Sequence, residues 1–418
     1  MNTRLRYSLA STVVVSLLAL GCGSDSSSES PPNNADGGAD ATVAVACPTY
    51  TDIPASVEAN LSVGPGCVRA GQTRIKKGAV LTVVPGTTVF FTAGGFIDAG
   101  ENEPGTLVAV GTADKPIRFT SFAASPQAGD WQCLFLGKNG VDSDLQFVNV
   151  EYGGALCKVN GSPDNLSSII VVGGIRGIKN ASVSDSLSHG IKITDKAGIR
   201  AFENVKFSRN GKNGEPSIWV GANEVIRLGA GLTFDDADEY IKIDDTFPAK
   251  ESGTWLRQAV PLRLAKLAIH DSAEITIAAG NKIQVAGGTI EVFQANLVTA
   301  GTADAPVVFT SANASPQKGD WGCIYFANGK GIPSLKHTII EYAGNGNGCS
   351  GAKYKVAIAG PDNLAFDNVQ IRNIDGAGIR TSKDCTMHGP WCAAVMFGAG
   401  VTPHFQCGNA SQMTYTCP

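Results

Sequence analysis

The chain has 418 residues, 50 of them Gly, with only 17% charged residues and a formal net charge of −4. Glu/Lys-faced amphipathic periodicity is scarce and no basic patch stands out, which argues against a helical bundle and against a nucleic-acid partner. What remains is a β-rich chain of short β-branched runs broken by Gly, Asn and Asp.

The first 21 residues read as an export signal. Arg4 and Arg6 supply the positive start, and Ser8 to Leu20 form an apolar stretch shorter than the roughly 20 residues a spanning helix needs. The stretch ends Leu18-Ala19-Leu20-Gly21-Cys22. This resembles the lipobox of bacterial lipoproteins, with Ala19 where Leu is usual. The resemblance implies lipidation of Cys22 and, with Gly23 next in the chain, an outer-membrane location on the periplasmic or cell-surface side. Cleavage near Gly21 without lipidation is the alternative. Residues 22–46 carry Ser, Gly, Asn, Asp and Pro with almost nothing to bury, so they read as a disordered tether.

Cysteine parity fits an exported chain. Of 11 Cys, setting Cys22 aside leaves an even ten, and disulfides persist outside the cytosol. Spacing suggests local pairs: Cys47–Cys67, Cys133–Cys157, Cys323–Cys349, Cys385–Cys392 and Cys407–Cys417. A bridge closing about 25 residues contributes on the order of 3 kcal/mol in the chain-entropy model. The spacings of zinc sites are absent, and none of the five His (His189, His270, His337, His388, His404) sits in a two-His metal motif.

From Cys47 onward the chain is organised by a duplication. Gly111 to Cys133 reads GTADKPIRFTSFAASPQAGDWQC, and Gly301 to Cys323 reads GTADAPVVFTSANASPQKGDWGC, at a constant offset of 190 that still holds at Glu151-Tyr152 and Glu341-Tyr342. Before each copy come two short alternating runs around a Gly turn, in Ala79 to Phe91 and in Ala273 to Val285; alternation buries one face. Phe96 to Leu107 reads as an insertion-like loop peculiar to the first copy. After each copy, strands recur every twenty-odd residues: 22 from Val183 to Val205 and 26 from Val369 to Val395. That is the spacing of coils stacked about 4.8 Å apart.

The order strand, Gly turn, strand, GTA-x-x-P, F-T-S, GDW, E-Y and G-I resembles right-handed parallel β-helix lipoproteins of bacterial envelopes, over about residues 75 to 400. The expectation is an all-β, right-handed parallel β-helix built from two tandem related units, residues 47–235 and 236–418, continuous with each other and ending in a Cys-rich segment. The resemblance implies architecture more than activity.

Three places in the sequence invite chemistry. Asp235, Asp236, Asp238 and Glu239, followed by Asp244 and Asp245, form the densest carboxylate group. They read as a solvated junction, as a Ca2+ site (the one cofactor the sequence suggests), or as acid/base groups of the kind glycosidases use. Asp130-Trp131 and Asp320-Trp321 lie in the duplicated GDW. They read either as sugar-stacking Trp with hydroxyl-binding Asp, or as a turn in which Asp caps a corner and Trp packs beneath it. Retention in both copies favours the turn. Glu151-Tyr152 and Glu341-Tyr342 invite the same choice. No nucleophile elbow or phosphate loop is present. The functional expectation is a lipid-anchored envelope protein whose β-helical face is a scaffold or binding surface for glycan or protein. A polysaccharide lyase or glycoside hydrolase is the alternative, and a rod without ligand the third reading.

Overall fold

The computed structural model describes residues 47–418 except 160–164, 328–330, 347–348, 350–353, 382–387 and 409–412. The signal segment, Cys22, the tether and Cys385 lie outside the described residues. Residues Cys47–Pro418 form one compact unit. Among the described residues no helix is long and apolar enough to cross a membrane.

The fold is a right-handed parallel β-helix. Among the described residues the strands pair in parallel except the last, where Phe405–Cys407 meets Met413–Tyr415 antiparallel and ends the stack; an isolated antiparallel bridge joins Leu156 and Leu166. Each coil supplies short strands to three columns. Alternation does the work: in Ala79–Val83 and Ile117–Ser121 the first, third and fifth side chains are buried, so each coil feeds one layer of a continuous apolar core. Phe91 lies on Trp131 with ring centroids 4.2 Å apart, and Phe119 stacks against Phe91 at 6.3 Å.

One sharp corner of the coil is a single left-handed residue. Phe147, Asn180 and Asn204 occupy it on successive coils of the first unit, with φ of 49°, 49° and 54°, and His337 and Asn368 hold the equivalent turn of the second unit, with φ of 41° and 53°. Asn tolerates this region better than most side chains, and Asn204 donates to the Asn180 side-chain oxygen at 3.2 Å across the coil step. Three of the five residues at these corners are Asn for this reason.

The two copies do not stack face on face. In the first, Ile117–Ser121 pairs with Thr87–Ala99 on one side and Val148–Glu151 on the other. Its counterpart Val307–Ser311 belongs to a different column. That column runs without a break from Leu134–Leu136 through Ser167–Val171, His189–Ile193, Ile218–Gly221, Ile241–Asp244, Leu262–Leu264 and Lys282–Val285 to Val307–Ser311. The second unit is thus turned by one face about the rod. The column passes through residues 235–236 with no change of pairing partner type.

Two expectations need correction. Phe96 to Leu107 is not one loop: Thr87–Ala99 and Gly105–Val110 are strands, and only residues 100–104 lie outside them, where the first unit is a few residues longer than the second. The C-terminal cysteines pair differently from expectation. Cys47–Cys67, Cys133–Cys157 and Cys323–Cys349 are bridged, but Cys392 pairs with Cys417, so neither Cys385–Cys392 nor Cys407–Cys417 forms; Cys407 is disulfide-bonded elsewhere. The cause is the chain reversal at the end. The helix His388–Ala394 sets Trp391 on the last coils, its indole N–H donating to Leu364 O at 3.2 Å, and the returning strand Met413–Tyr415 brings Cys417 back to Cys392.

Candidate functional site

The duplicated GDW is a turn. Asp130 Oδ2 accepts from Ser121 Oγ at 2.5 Å and from Gln127 N at 2.9 Å, and Asp320 Oδ2 accepts from Ser311 Oγ at 2.6 Å and Gln317 N at 2.9 Å. Trp131 and Trp321 are fully buried, and their indole N–H groups donate to Glu151 O and Glu341 O at 2.7 and 2.8 Å. Gly129 and Gly319 hold φ of 86° and 81°, where a Cβ would be strained; at Gly129 it would also meet Leu187 at 2.9 Å. Neither Trp presents a ring face to a sugar, and each Asp is committed to its own turn. The stacking alternative for Asp130, Trp131, Asp320 and Trp321 is set aside on that geometry.

The acidic segment is dispersed among separate partners. Asp235 pairs with Lys206 at 2.8 Å. Asp236 accepts the Arg209 amide at 2.5 Å. Glu239 accepts Ser217 Oγ at 2.5 Å, with the Ser217 and Tyr240 amides at 3.2 Å. Asp238 stands exposed on a left-handed residue, φ 61°. Among the described residues no three His, Cys, Asp or Glu side chains converge as a metal site. The Ca2+ reading of Asp235, Asp236, Asp238 and Glu239 therefore lacks a converging oxygen set.

These residues instead form one wall of a groove of about 780 Å³. The turn at Asp236, Asp238 and Glu239 faces the segment Ala312–Pro316, and the floor is the outward side of the column described above, carrying Arg263, Lys282, Gln284 and Thr310. Glu341 and Tyr342 close one end. The floor is set by register: Ile170, Lys192, Trp219, Lys242, Arg263, Gln284 and Thr310 stand directly above one another on successive coils.

The electrostatics of this ladder are specific. Lys192 Nζ lies 3.9 Å and Lys242 Nζ 4.8 Å from the Trp219 ring centroid, and cations over indole are held by the ring quadrupole. Arg263 lies 3.6 Å over Tyr240 and donates Nε–H to Gln284 Oε1 at 2.9 Å. Both partners of Arg263, Tyr240 and Gln284, are neutral, and no ion pair of it is found among the described residues. The side chains of Lys282 and Asp238 also have no hydrogen-bond or ion-pair partner among the described residues. At the far end Glu341 accepts from Thr310 Oγ1 and Arg372 Nε, each at 2.9 Å. The arrangement can engage several hydroxyl or charged groups at once along a line. A smaller cavity of about 190 Å³ lies on the other side of Tyr240 and Arg263, lined by Trp219, Lys242 and Leu264.

Beneath this region His189 is buried. Its Nδ1 lies 2.7 Å from Pro216 O, so it carries the proton, and Nε2 lies 3.7 Å from Glu215 Oε2. Burial pushes its pKa down to about 4, against the pull of the Pro216 carbonyl and Glu215. The ring is neutral at pH 7 and packs against Trp219, centroids 5.3 Å apart.

Residues 255–345 match the family model described as a pectate-lyase like beta helix domain. The match covers Arg263, Lys282, Gln284, Thr310, Glu341 and Tyr342 and stops short of Asp236, Asp238 and Glu239. No curated protein and no solved structure matches the chain. Trp219, Tyr240, Arg263, Lys282 and Gln284 were not singled out from the sequence. Their signal was present as outward positions of short alternating strands, but only the coil register lines them up.

Proposed function

We propose that the chain is a glycan-binding β-helix of the cell envelope, held at the membrane by a lipid on Cys22, and that the groove between Asp238 and Arg263 takes the glycan. The observation that carries the binding reading is the groove itself: a depression whose floor holds an Arg with only neutral partners and the unpaired side chain of Lys282, and whose wall holds the unpaired side chain of Asp238. Extended grooves lined by hydrogen-bonding side chains suit a polymer of hydroxyl groups better than a compact small molecule. The match of residues 255–345 to a pectate-lyase like domain supports a carbohydrate ligand for this part of the chain. The export signal and tether support placement outside the cytosol.

A panel of immobilised glycans tests the binding reading. Arg263→Ala weakens capture about tenfold, the size expected for a charge-assisted contact. Depolymerisation of a bound polysaccharide by the wild type, lost in Asp236→Asn, replaces the binding reading with the enzymatic one. Loss of lipid label and of membrane association in Cys22→Ala tests the anchor separately.

A further inference from the structure

The internal duplication pairs residues of the groove with residues of the first unit, and the pairing is fixed by strand register. In the second unit the stack reads Lys242, Arg263, Gln284, Thr310. In the first it reads Asp52, Arg69, Phe90, Thr120. Thr120 and Thr310 are the Thr of the two F-T-S motifs, so Arg69 corresponds to Arg263 and Phe90 to Gln284. Tyr50 precedes the first of these strands as Tyr240 precedes its counterpart, and Phe122 stands where the second unit has Ala312. The place that is an open groove in one unit is a cluster of aromatic rings in the other.

That cluster faces solvent. Tyr50 is 38% and Phe122 39% exposed. Tyr50 lies edge-on to Phe90 and Phe122 with centroids 5.5 and 5.3 Å apart, and Phe90 to Phe122 at 6.5 Å. Arg69 extends over Phe122 at 5.6 Å while its fork grips Asp52 at 2.7 and 2.8 Å. Aromatic side chains exposed as one contiguous group, unlike single scattered ones, suit a contact surface. Three rings with one guanidinium and one carboxylate at the rim offer an apolar platform and a polar border, which is what the C–H face and the hydroxyl edge of a pyranose require.

We propose that Tyr50, Phe90 and Phe122, bordered by Arg69 and Asp52, form a second carbohydrate-binding platform for hexopyranose polymers, equivalent in the duplication to the groove. The ligand class rests on the glycan reading of that groove. The two places lie on neighbouring faces. Arg69 shares its strand with Arg74, from which seven strand pairings lead to Arg263 through Asp98, Phe135, Ile170, Lys192, Trp219 and Lys242. At about 4.8 Å per step they are roughly 34 Å apart along the rod. A polymer long enough to reach both gains from effective concentration, and a short oligosaccharide does not.

The test uses the full chain in its Cys22→Ala form, run in native gels containing hydroxyethyl cellulose, galactomannan or polygalacturonate, with calorimetry on cellotriose. The expected result is retardation by hydroxyethyl cellulose and two cellotriose sites per chain. Phe122→Ser and Arg263→Ala each leave one site and weaken polymer retention about tenfold, and the double variant is not retarded. Tyr50→Ser repeats the platform test should Phe122→Ser lower expression, and unchanged circular dichroism shows that the rod is intact. Retention unaffected by Phe122→Ser and Tyr50→Ser but lost in Arg263→Ala overturns the platform and leaves the groove. The opposite pattern supports the platform and removes the groove. Absence of retardation by all three polymers overturns the proposal, as does flotation with phosphatidylglycerol vesicles that Phe122→Ser abolishes, since the patch is then a membrane contact.

Discussion

Beside the F-T-S strand of the first unit, Phe90 and Phe122 pave the surface; beside the same strand of the second unit, Gln284 and Ala312 leave it open as a groove. The buried parts of the two places are almost interchangeable. Trp131 and Trp321 donate to the same carbonyl, Asp130 and Asp320 cap the same turn, and Cys133 and Cys323 begin matching staples. The interior differs in size at single positions, Phe91 against Val285 and Ala70 against Leu264, all buried, whereas the outward residues differ in chemical kind. Packing keeps the inner positions apolar because each coil must fit the next, while the outward positions carry two kinds of surface.

That contrast can be broken or sharpened by experiment. The largest effect is expected in the shared interior: Trp131→Ala and Trp321→Ala each cost about 3–5 kcal/mol in denaturant unfolding, because each removes a buried ring and leaves a cavity. A near-zero cost for either means that its unit does not depend on the GDW turn. Next come the staples. Replacing Cys133 with Cys157, or Cys323 with Cys349, by Ala lowers stability by about 3 kcal/mol each and by similar amounts, since the closed segments span 24 and 26 residues. Thermal midpoints of the two double variants measure this directly.

Acid separates the units. His189 has no counterpart in the second unit, where Ala377 occupies its position in the stack. Its folded pKa of about 4 lies below the unfolded value of about 6.5. The unfolded chain therefore takes up the proton first as pH falls. The stability is complete above pH 6.5 and is lost between there and pH 4, to a total of about 3 kcal/mol. The pH slope of stability in that window flattens in His189→Ala, and an unchanged slope assigns the acid sensitivity elsewhere. The smallest effect is at the paired glutamates. Glu151 meets Arg118 at 2.6 Å with both side chains mostly shielded, whereas the Arg372 partner of Glu341 is 45% exposed. Glu151→Gln costs about 1–2 kcal/mol and Glu341→Gln under about 1 kcal/mol, read from paired unfolding curves.

The architecture was legible because a coil repeats. Strands recurring at twenty-odd residues, Gly turns between short alternating runs, and the GTAD…GDW identity all survive as local sequence. Three of the disulfides were legible for the same reason: each joins neighbouring coils, so spacing in the chain tracks spacing in the rod. Cys392–Cys417 was not, because it depends on the helix His388–Ala394 and an antiparallel return that interrupt the coil rule. The groove was half legible. The carboxylates of residues 235–239 stood out as a cluster, but their partners Lys206, Arg209 and Ser217 and the opposing Arg263, Lys282 and Gln284 come from other coils. The aromatic patch was invisible, since Tyr50, Phe90 and Phe122 are single residues far apart in the chain.

An offset of 190 residues, constant though it is, does not say how many times the chain has gone round. It goes round a whole number of times plus one face, so the duplication behaves as a screw operation rather than a translation. Two equivalent places therefore cannot both lie against one flat surface, and a rigid sheet that meets the groove leaves the aromatic patch turned aside. A flexible strand following the twist can meet both. Appending a third such unit would carry the equivalent place to the remaining face, and a fourth would return it to the first, giving a molecular thread with three starts of presentation from a single repeated instruction.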